Sequence, residues 1–89
     1  MRSRTTARFR AAFAGLPKDV QDQARRAYRR FNQNPRQPGL RFKQVHPSIP
    51  IYSVRVSKGY RAVGQRDESG IVWFWIGSHA DYEKLLAHL

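Results

Sequence analysis

The stretch from residue 71 to residue 76, reading IVWFWI, has no polar position on either side. A buried helix segment of this composition is possible, but aromatic and β-branched residues in so short a run favour a strand. An apolar strand without a polar face has to be covered on both sides, which places it inside a sheet. The sequence therefore predicts a sheet with an interior strand at this position.

Two further strands are predicted in residues 51–66, just before the apolar stretch. Apolar and polar residues alternate in the first half of this segment, the period-2 pattern of a half-buried strand. Residues 57–59 fit a three-residue loop with Gly59 in the left-handed conformation. With that loop, Arg55 and Arg61 lie opposite each other on one face of the sheet. Facing cations repel unless an anion lies between them; two solvated arginines on an exposed face are the alternative.

The first third of the chain predicts a hairpin of two helices. Thr5 or Thr6 can cap the first helix, and Pro17 can open the second as its first residue. Asn34 ends the second helix, because the residue before a proline avoids the helical region. Each helix carries an apolar stripe on one face. The stripes consist of Phe9, Phe13 and Leu16 in the first helix and of Val20, Ala24, Ala27, Tyr28 and Phe31 in the second.

The remaining segments predict short elements. Residues 40–45 read as the first clear strand, and residues 46–50 form a loop because they contain two prolines. Ser78, with Asp81 three positions later, resembles a capping box and opens a last helix. Residues 1–4 are a basic tail, either disordered or a short edge strand. We expect one domain over residues 1–89.

Charge is the strongest global feature of the sequence. Seventeen Lys and Arg against six Asp and Glu give a formal net charge of +11. Residues 23–66 contain eleven Lys or Arg and no acid. Such a surface attracts polyanions and gains affinity from the counterions that they release. The charge favours a nucleic-acid partner, with an acidic protein partner or a simple contribution to solubility as alternatives.

Several other classes of protein are disfavoured by composition. The chain has no cysteine and only three widely separated histidines, so neither a disulfide framework nor a metal site is expected. It has no apolar run of roughly 18 residues, the length that a membrane-spanning helix needs. No signal peptide is recognisable. We therefore expect a cytoplasmic protein without metal, cofactor or membrane contact.

The order of these segments resembles the RelE/ParE superfamily of bacterial toxins from type II toxin–antitoxin systems. The resemblance covers the two helices and residues 40–43, 52–56, 59–62 and 75–82. It implies an α+β fold in which an N-terminal helical hairpin packs on a twisted, mainly antiparallel, four-stranded sheet with a short C-terminal helix. It also implies a cognate antitoxin that covers the basic sheet face. One departure is that family members begin with a clear strand, whereas residues 1–10 offer only a weak one.

The superfamily divides by target. RelE-like members are ribosome-dependent ribonucleases that cut messenger RNA without metal, whereas ParE-like members inhibit DNA gyrase. Arg61 resembles the phosphate-binding arginine of the nucleases, and Arg55 matches a strand cation in them. His79 and Tyr82 resemble their C-terminal residues for proton transfer and substrate positioning, a role that suits a histidine near neutral pH. These matches favour a metal-free messenger RNA endoribonuclease.

Further basic residues are candidates for phosphate contacts or for a second proton-transfer group: Arg41, Lys43, His46 and Lys58. Some relatives place a glutamate base on the strand before the hairpin, but this chain has no acid there. The general base is therefore unassigned. Simpler roles are a helix-capping role for His79 and core packing for Tyr82. Two other functions stay open, a gyrase inhibitor without nuclease activity and a non-catalytic nucleic-acid-binding module.

Overall fold

The apolar stretch lies inside a five-stranded sheet in the computed structural model, which describes residues 1–89. The elements in chain order are β1 (Arg2–Thr5), α1 (Ala7–Ala14), α2 (Lys18–Gln33), a 3₁₀ helix (Pro38–Leu40), β2 (Lys43–Gln44), β3 (Ile51–Ser57), β4 (Tyr60–Asp67), β5 (Gly70–Ser78) and α3 (His79–Ala87). The sheet order is β1-β5-β4-β3-β2, so β5, which contains the apolar stretch, has a neighbour on each side. β1 runs parallel to β5, and the other neighbouring strands are antiparallel. The predicted α+β class and the interior apolar strand are confirmed.

The sheet has five strands instead of the predicted four, because the N-terminal residues form a short edge strand, one of the two alternatives predicted for residues 1–4. β1 pairs with β5 from Arg2 opposite Gly70 onward. Its residues alternate between exposed and half-buried and include no large apolar side chain, so a hydrophobic pattern cannot distinguish this strand from a tail. An ion pair between Arg4 and Asp67 at 3.3 Å joins β1 to the end of β4. β1 is therefore held at the sheet edge by backbone pairing and by this ion pair, not by apolar side chains.

The predicted strand over residues 40–45 is reduced to the two residues of β2. The 3₁₀ helix ends at Leu40, and Arg41 adopts a left-handed conformation with φ 48° and ψ 42°. Extended backbone in the sheet therefore begins only at Lys43. Leu40 is nevertheless fully buried, and Phe42 packs against the same core. The apolar pattern of this segment reflects burial and not a continuous strand.

The helical hairpin covers one face of the sheet. Thr6 caps α1 by accepting a hydrogen bond from the Phe9 N–H at 3.0 Å, and α2 ends at Asn34, as predicted. Pro17 precedes α2 as its N-cap and is not its first helical residue. Tyr28 is 39% exposed, so its assignment to the buried stripe is wrong. The core below the helices consists of Ala27, Phe31, Leu40, Val54, Ala62, Ile71, Trp73 and Ile76.

The opposite face of the sheet is covered only in part, by α3. Ser78 caps this helix by accepting a hydrogen bond from the Asp81 N–H at 3.2 Å, as predicted. Tyr82 is the one buried residue of α3 and packs against Ile51 and Val63. None of the helices is long and apolar enough to cross a membrane. The short α3 leaves the rest of this face to the polar and charged residues described below.

A substitution of Gly70 tests the packing of β1 against β5. Its φ is +153°, and a Cβ at this position would meet the backbone carbonyl of Arg2. We expect Gly70→Ala to lower the free energy of unfolding by about 2–4 kcal/mol, because it combines backbone strain with a clash against main chain. Urea unfolding measures this loss.

Gly59→Ala is the matched control, since a Cβ at Gly59 would meet nothing within 4 Å. It should change the free energy of unfolding by less than about 0.5 kcal/mol. A Gly70→Ala variant as stable as Gly59→Ala would contradict the parallel pairing of β1 with β5.

Candidate functional site

The hairpin of β3 and β4 places Arg55 opposite Arg61, as predicted. The three-residue loop is wrong, because Ser57 pairs with Tyr60 across a two-residue turn and Gly59 does not have a positive φ. An irregularity of the ladder between Arg55 and Ser57 takes up the extra residue. A bulge of this kind changes the register at one point only. The two arginines therefore face each other although the turn is one residue shorter than predicted, because the bulge compensates for the difference.

A third arginine, Arg41, lies close enough to this pair for its charge to act on Arg61. The ladder of β2 and β3 pairs Lys43 with Ser53. Arg55 pairs with Arg61 on β4. Arg41 lies two residues before β2, outside this ladder, and its charge lowers the pKa of Arg61. We call Arg41, Arg55 and Arg61 the arginine row. The row lies beside α3, on the face of the sheet that the helical hairpin does not cover.

The positive charges of the arginine row repel one another. The pKa of Arg61 is lowered, first by burial and then by the charges of Arg55 and Arg41, while Tyr82 and Glu83 act in the opposite direction. Arg55 is half-buried and forms no ion pair. A bound anion would relieve this repulsion, because an opposite charge nearby stabilises the charged form of a base. The arginine row is thus an anion-binding arrangement that no acid within the row neutralises.

The Arg61 guanidinium is held in place by the hairpin turn. Its Nη1 donates to the carbonyl oxygens of Ser57 at 2.7 Å, Tyr60 at 2.9 Å and Lys58 at 3.3 Å. The other two guanidinium nitrogens donate no hydrogen bond within the chain. A planar fork with two free donors suits the paired oxygens of a phosphate or carboxylate. Arg61 therefore supports the turn and presents an ordered donor group on the same face.

The start of α3 adjoins the arginine row. Arg61 pairs with Gly77 of β5, and Ser78 caps the helix immediately afterwards. His79 is the first helical residue, and its N–H donates to the Gly59 carbonyl at 2.8 Å. This bond ties the helix start to the hairpin turn. The first turn of α3, which contains His79 and Tyr82, therefore lies next to the arginines.

Glu83 is a residue of this site that the sequence analysis missed. The Nε2 atom of His79 lies 3.4 Å from its Oε1 atom, and the two side chains are 48% and 61% exposed. The signal in the sequence is the i, i+4 spacing, which brings side chains together on a helix. A carboxylate at this distance can orient the imidazole.

Tyr82 is buried, and its hydroxyl is used within the protein. The side chain is 5% exposed, and its Oη donates to Ser53 Oγ at 2.9 Å. Ser53, 2% exposed, is the one buried polar residue of the chain and was also missed. The Tyr82 ring centroid lies 5.8 Å from that of His79. Tyr82 therefore fixes α3 to β3 and, through the helix, the position of His79.

The other basic candidates are distributed around the arginine row. Lys43 lies opposite Ser53, and directly opposite residues point to the same face of a sheet. It is therefore exposed on the face that carries the row. Lys58 is exposed in the hairpin turn, and its carbonyl accepts from Arg61. Both lysines can supply positive charge to an anion on this face.

His46 lies outside the site. Its Nδ1 accepts hydrogen bonds from the N–H groups of Ser48 at 3.1 Å and Ile49 at 2.9 Å, which closes the loop between β2 and β3. This loop leads into Ile51 at the start of β3, whereas Arg55 lies near the other end. His46 therefore stabilises this loop and does not contact the arginine row.

Comparisons with known proteins relate the fold to a group of toxins. The sequence model of the ParE-like toxin domain matches residues 18–84. A chain of the RelB-RelE antitoxin-toxin complex from Methanococcus jannaschii has a TM-score of 0.69 and 12% identity, over 92% of this chain and 96% of that one. The YoeB/ParE toxin from Agrobacterium tumefaciens has a TM-score of 0.69 and 13% identity, over 89% and 99% of the two chains.

A third similar structure is the isolated RelE toxin of E. coli. Its TM-score is 0.62 and its identity 18%, over 98% of this chain and 97% of that one. No curated protein matches the sequence. At these identities the structures show a common fold, and the predicted RelE-like arrangement is confirmed.

The hydrogen bond between Tyr82 and Ser53 is testable by its contribution to stability. We expect Tyr82→Phe to lower the free energy of unfolding by about 1–2 kcal/mol, because it leaves the Ser53 hydroxyl buried without a partner. Ser53→Ala should cost a similar amount, and the double variant should lose less than the sum of the two. Chemical denaturation of the four proteins measures the coupling.

Tyr28→Phe is the control, since its hydroxyl is largely exposed and makes only a long bond of 3.4 Å to the Ser3 carbonyl. It should be almost neutral. Strictly additive losses for Tyr82→Phe and Ser53→Ala would contradict the assigned hydrogen bond.

Proposed function

The chain belongs to the family of ParE-like toxin domains, within the RelE/ParE superfamily of toxins from toxin–antitoxin systems, and from this premise we propose that it is a metal-free, ribosome-associated endoribonuclease of messenger RNA in the cytoplasm. One observation carries the proposal. The arginine row lies beside the pair of His79 and Glu83 on a sheet face that the helical hairpin leaves open. A binding module without chemistry has no need of this pair.

Cleavage of RNA without metal requires three contributions. A base removes the proton of the 2′-hydroxyl, cations stabilise the negative charge that develops on the phosphate, and an acid protonates the leaving 5′-oxygen. The 2′-oxygen then forms a bond to phosphorus as the bond from phosphorus to the 5′-oxygen breaks. The products are a 2′,3′-cyclic phosphate and a 5′-hydroxyl.

Arg61 and Arg55 take the role of the cations. The free nitrogens of Arg61 bind the non-bridging phosphate oxygens, while its Nη1 stays on the turn carbonyls. Arg55 faces it across the ladder and supplies the second charge. The two cations stabilise the phosphate more strongly as its negative charge grows in the transition state.

His79 takes the role of the general acid. A histidine side chain can donate or accept a proton near neutral pH. The Glu83 carboxylate at 3.4 Å orients the imidazole ring. Tyr82 acts as a positioning residue, because its buried hydroxyl holds α3 through Ser53. Lys43 is the better placed of the two candidate bases, since His46 closes a loop elsewhere.

We also propose a cognate antitoxin as protein partner. The similar chain from Methanococcus jannaschii belongs to an antitoxin–toxin complex, and a chain with a formal net charge of +11 attracts an acidic segment. Such a segment would neutralise the arginine row and occlude it. Inhibition would then require no change in the fold of the toxin.

Inhibition of DNA gyrase is the second candidate function. It is favoured by the match to the ParE-like toxin domain over residues 18–84. In that case the arginine row would bind an acidic protein surface, and His79 would only start α3. The two functions differ in which macromolecule is damaged when the protein is induced in bacteria.

Induction of the wild type and of His79→Ala in a bacterial host separates these functions. We expect growth arrest with new messenger RNA ends inside translated codons, and a reduction of cutting by about 10²-fold or more in His79→Ala, the scale of a lost general acid. Arg61→Gln should reduce cutting as well. Mapping of RNA ends across the transcriptome measures the effect.

His88→Ala is the matched control, because this exposed histidine follows α3 and lies far along the helix from the arginine row. It should cut like the wild type. Growth arrest with a DNA-damage response and intact messenger RNA would assign the protein to the gyrase inhibitors instead.

A further inference from the structure

Gly77 leaves room for the ring of Trp75 beside Arg61. It lies opposite Arg61 in the ladder of β4 and β5, so the two backbones are about 5 Å apart. A Cβ at Gly77 would meet the Trp75 ring at 2.8 Å, closer than real Cβ contacts come. Glycine inside a strand weakens the strand and often marks a close approach of this kind. Gly77 is therefore explained by the position of the tryptophan.

The edge of the Trp75 ring that carries the indole N–H is the one over Gly77. The ring atoms nearest to a Cβ at Gly77 are Cζ2 at 2.8 Å, Cη2 at 2.9 Å and Cε2 at 3.5 Å, and Cε2 is bonded to Nε1. The ring also packs against Tyr82, with their centroids 6.4 Å apart. The indole nitrogen therefore lies on the side of the ring nearest to Gly77 and its partner Arg61.

The Trp75 N–H is a free donor that solvent can reach. The chain has two tryptophans, and neither Nε1 atom has a hydrogen-bond partner within the protein. Trp73 Nε1 is buried under the helical hairpin, whereas Trp75 is half-buried and its Nε1 is accessible. Apolar packing accounts for an aromatic ring at Trp75 but not for an indole. Because an indole N–H only donates, its partner has to be an acceptor.

A neutral donor adds to the site of Arg55 and Arg61 what a further cation could not. The two arginines face each other across the ladder, and burial together with the charge of Arg55 lowers the pKa of Arg61. A further cation at the position of Trp75 would increase this repulsion. An indole N–H can donate a hydrogen bond to a charged oxygen without adding charge. The surroundings of Trp75 therefore suit an anion that Arg61 binds at the same time.

We propose that the Trp75 indole N–H donates a hydrogen bond to the RNA phosphate bound by Arg55 and Arg61. The inference rests on the proposed function, because it adds a donor to the same site. The two free nitrogens of Arg61 reach the phosphate from β4, and the indole reaches it from β5. Trp75 contacts substrate and takes no part in the proton transfers.

Titration of ¹⁵N-labelled protein with a 2′-O-methyl hexanucleotide, which cannot be cleaved, tests the hydrogen bond directly. Two tryptophans give two indole N–H signals, and the loss of one signal in Trp75→Phe identifies both. We expect the Trp75 signal to move downfield as the RNA binds, because its proton enters a hydrogen bond to a charged oxygen. The Trp73 signal is the internal control and should stay in place, because Trp73 is 3% exposed on the opposite face.

The affinities of variants separate a donor from a packing residue. Trp75→Phe keeps an aromatic ring and removes the N–H, so we expect it to weaken the hexanucleotide about threefold to tenfold, the scale of one hydrogen bond. Because the indole is neutral, the salt dependence of the affinity should not change, whereas Arg61→Gln should lower its log–log slope by about 0.7. Tyr28→Phe is the matched control on the exposed side of α2 and should bind like the wild type. Fluorescence anisotropy measures these affinities.

The outcomes separate this inference from the proposed function. A shifted Trp75 signal and a weaker Trp75→Phe variant, in a protein that does not cut RNA, support the donor and remove the nuclease. Equal affinity of Trp75→Phe and the wild type, or a Trp75 signal that stays in place at saturation, overturns the donor even where Arg61→Gln weakens binding. A lower salt slope in Trp75→Phe also overturns it, since the substitution would then act through an arginine. A wild type that does not bind the hexanucleotide overturns both.

Discussion

The burial of the apolar side chains of β5 is the constraint on which the rest of the structure depends. Ile71, Trp73 and Ile76 are 0–4% exposed, and removing each from water contributes about 1.5–3 kcal/mol. The helical hairpin covers one face completely enough to form a core. On the other face the short α3 covers only the part around Tyr82. The part of this face that α3 leaves uncovered carries the charged side chains of Arg55 and Arg61.

The candidate site follows from this incomplete cover. Arg55 and Arg61 face each other because the ladder of β3 and β4 fixes their register, and the repulsion between them is a cost of the unbound state. The hydrogen bond from Tyr82 to Ser53 sets α3 against the same sheet and brings His79 to its edge. Two ordinary features of folding, a strand register and a helix anchor, therefore bring together the arginines and the histidine for which we propose anion binding and proton transfer.

Much of this arrangement was predictable from local patterns. The period-2 alternation identified β3, and the facing of Arg55 and Arg61 was correct although the loop length was not, because the bulge compensated for the shorter turn. The sequence could not decide between a disordered tail and an edge strand for β1, since the pairing of β1 with β5 depends on backbone groups and on no apolar side chain. Ser53 looked like a polar position on an exposed face. Only the tertiary approach of Tyr82, twenty-nine residues later, makes it a buried partner.

The central claim is that the arginine row and His79 cleave RNA by attack of the 2′-hydroxyl. The most direct measurement is chemical analysis of the RNA ends that purified protein produces on ribosomes carrying a defined messenger RNA. Our account predicts upstream fragments that end in a 2′,3′-cyclic phosphate and downstream fragments that begin with a 5′-hydroxyl. Uncut messenger RNA, or fragments with a 5′-phosphate and a 3′-hydroxyl, would contradict it.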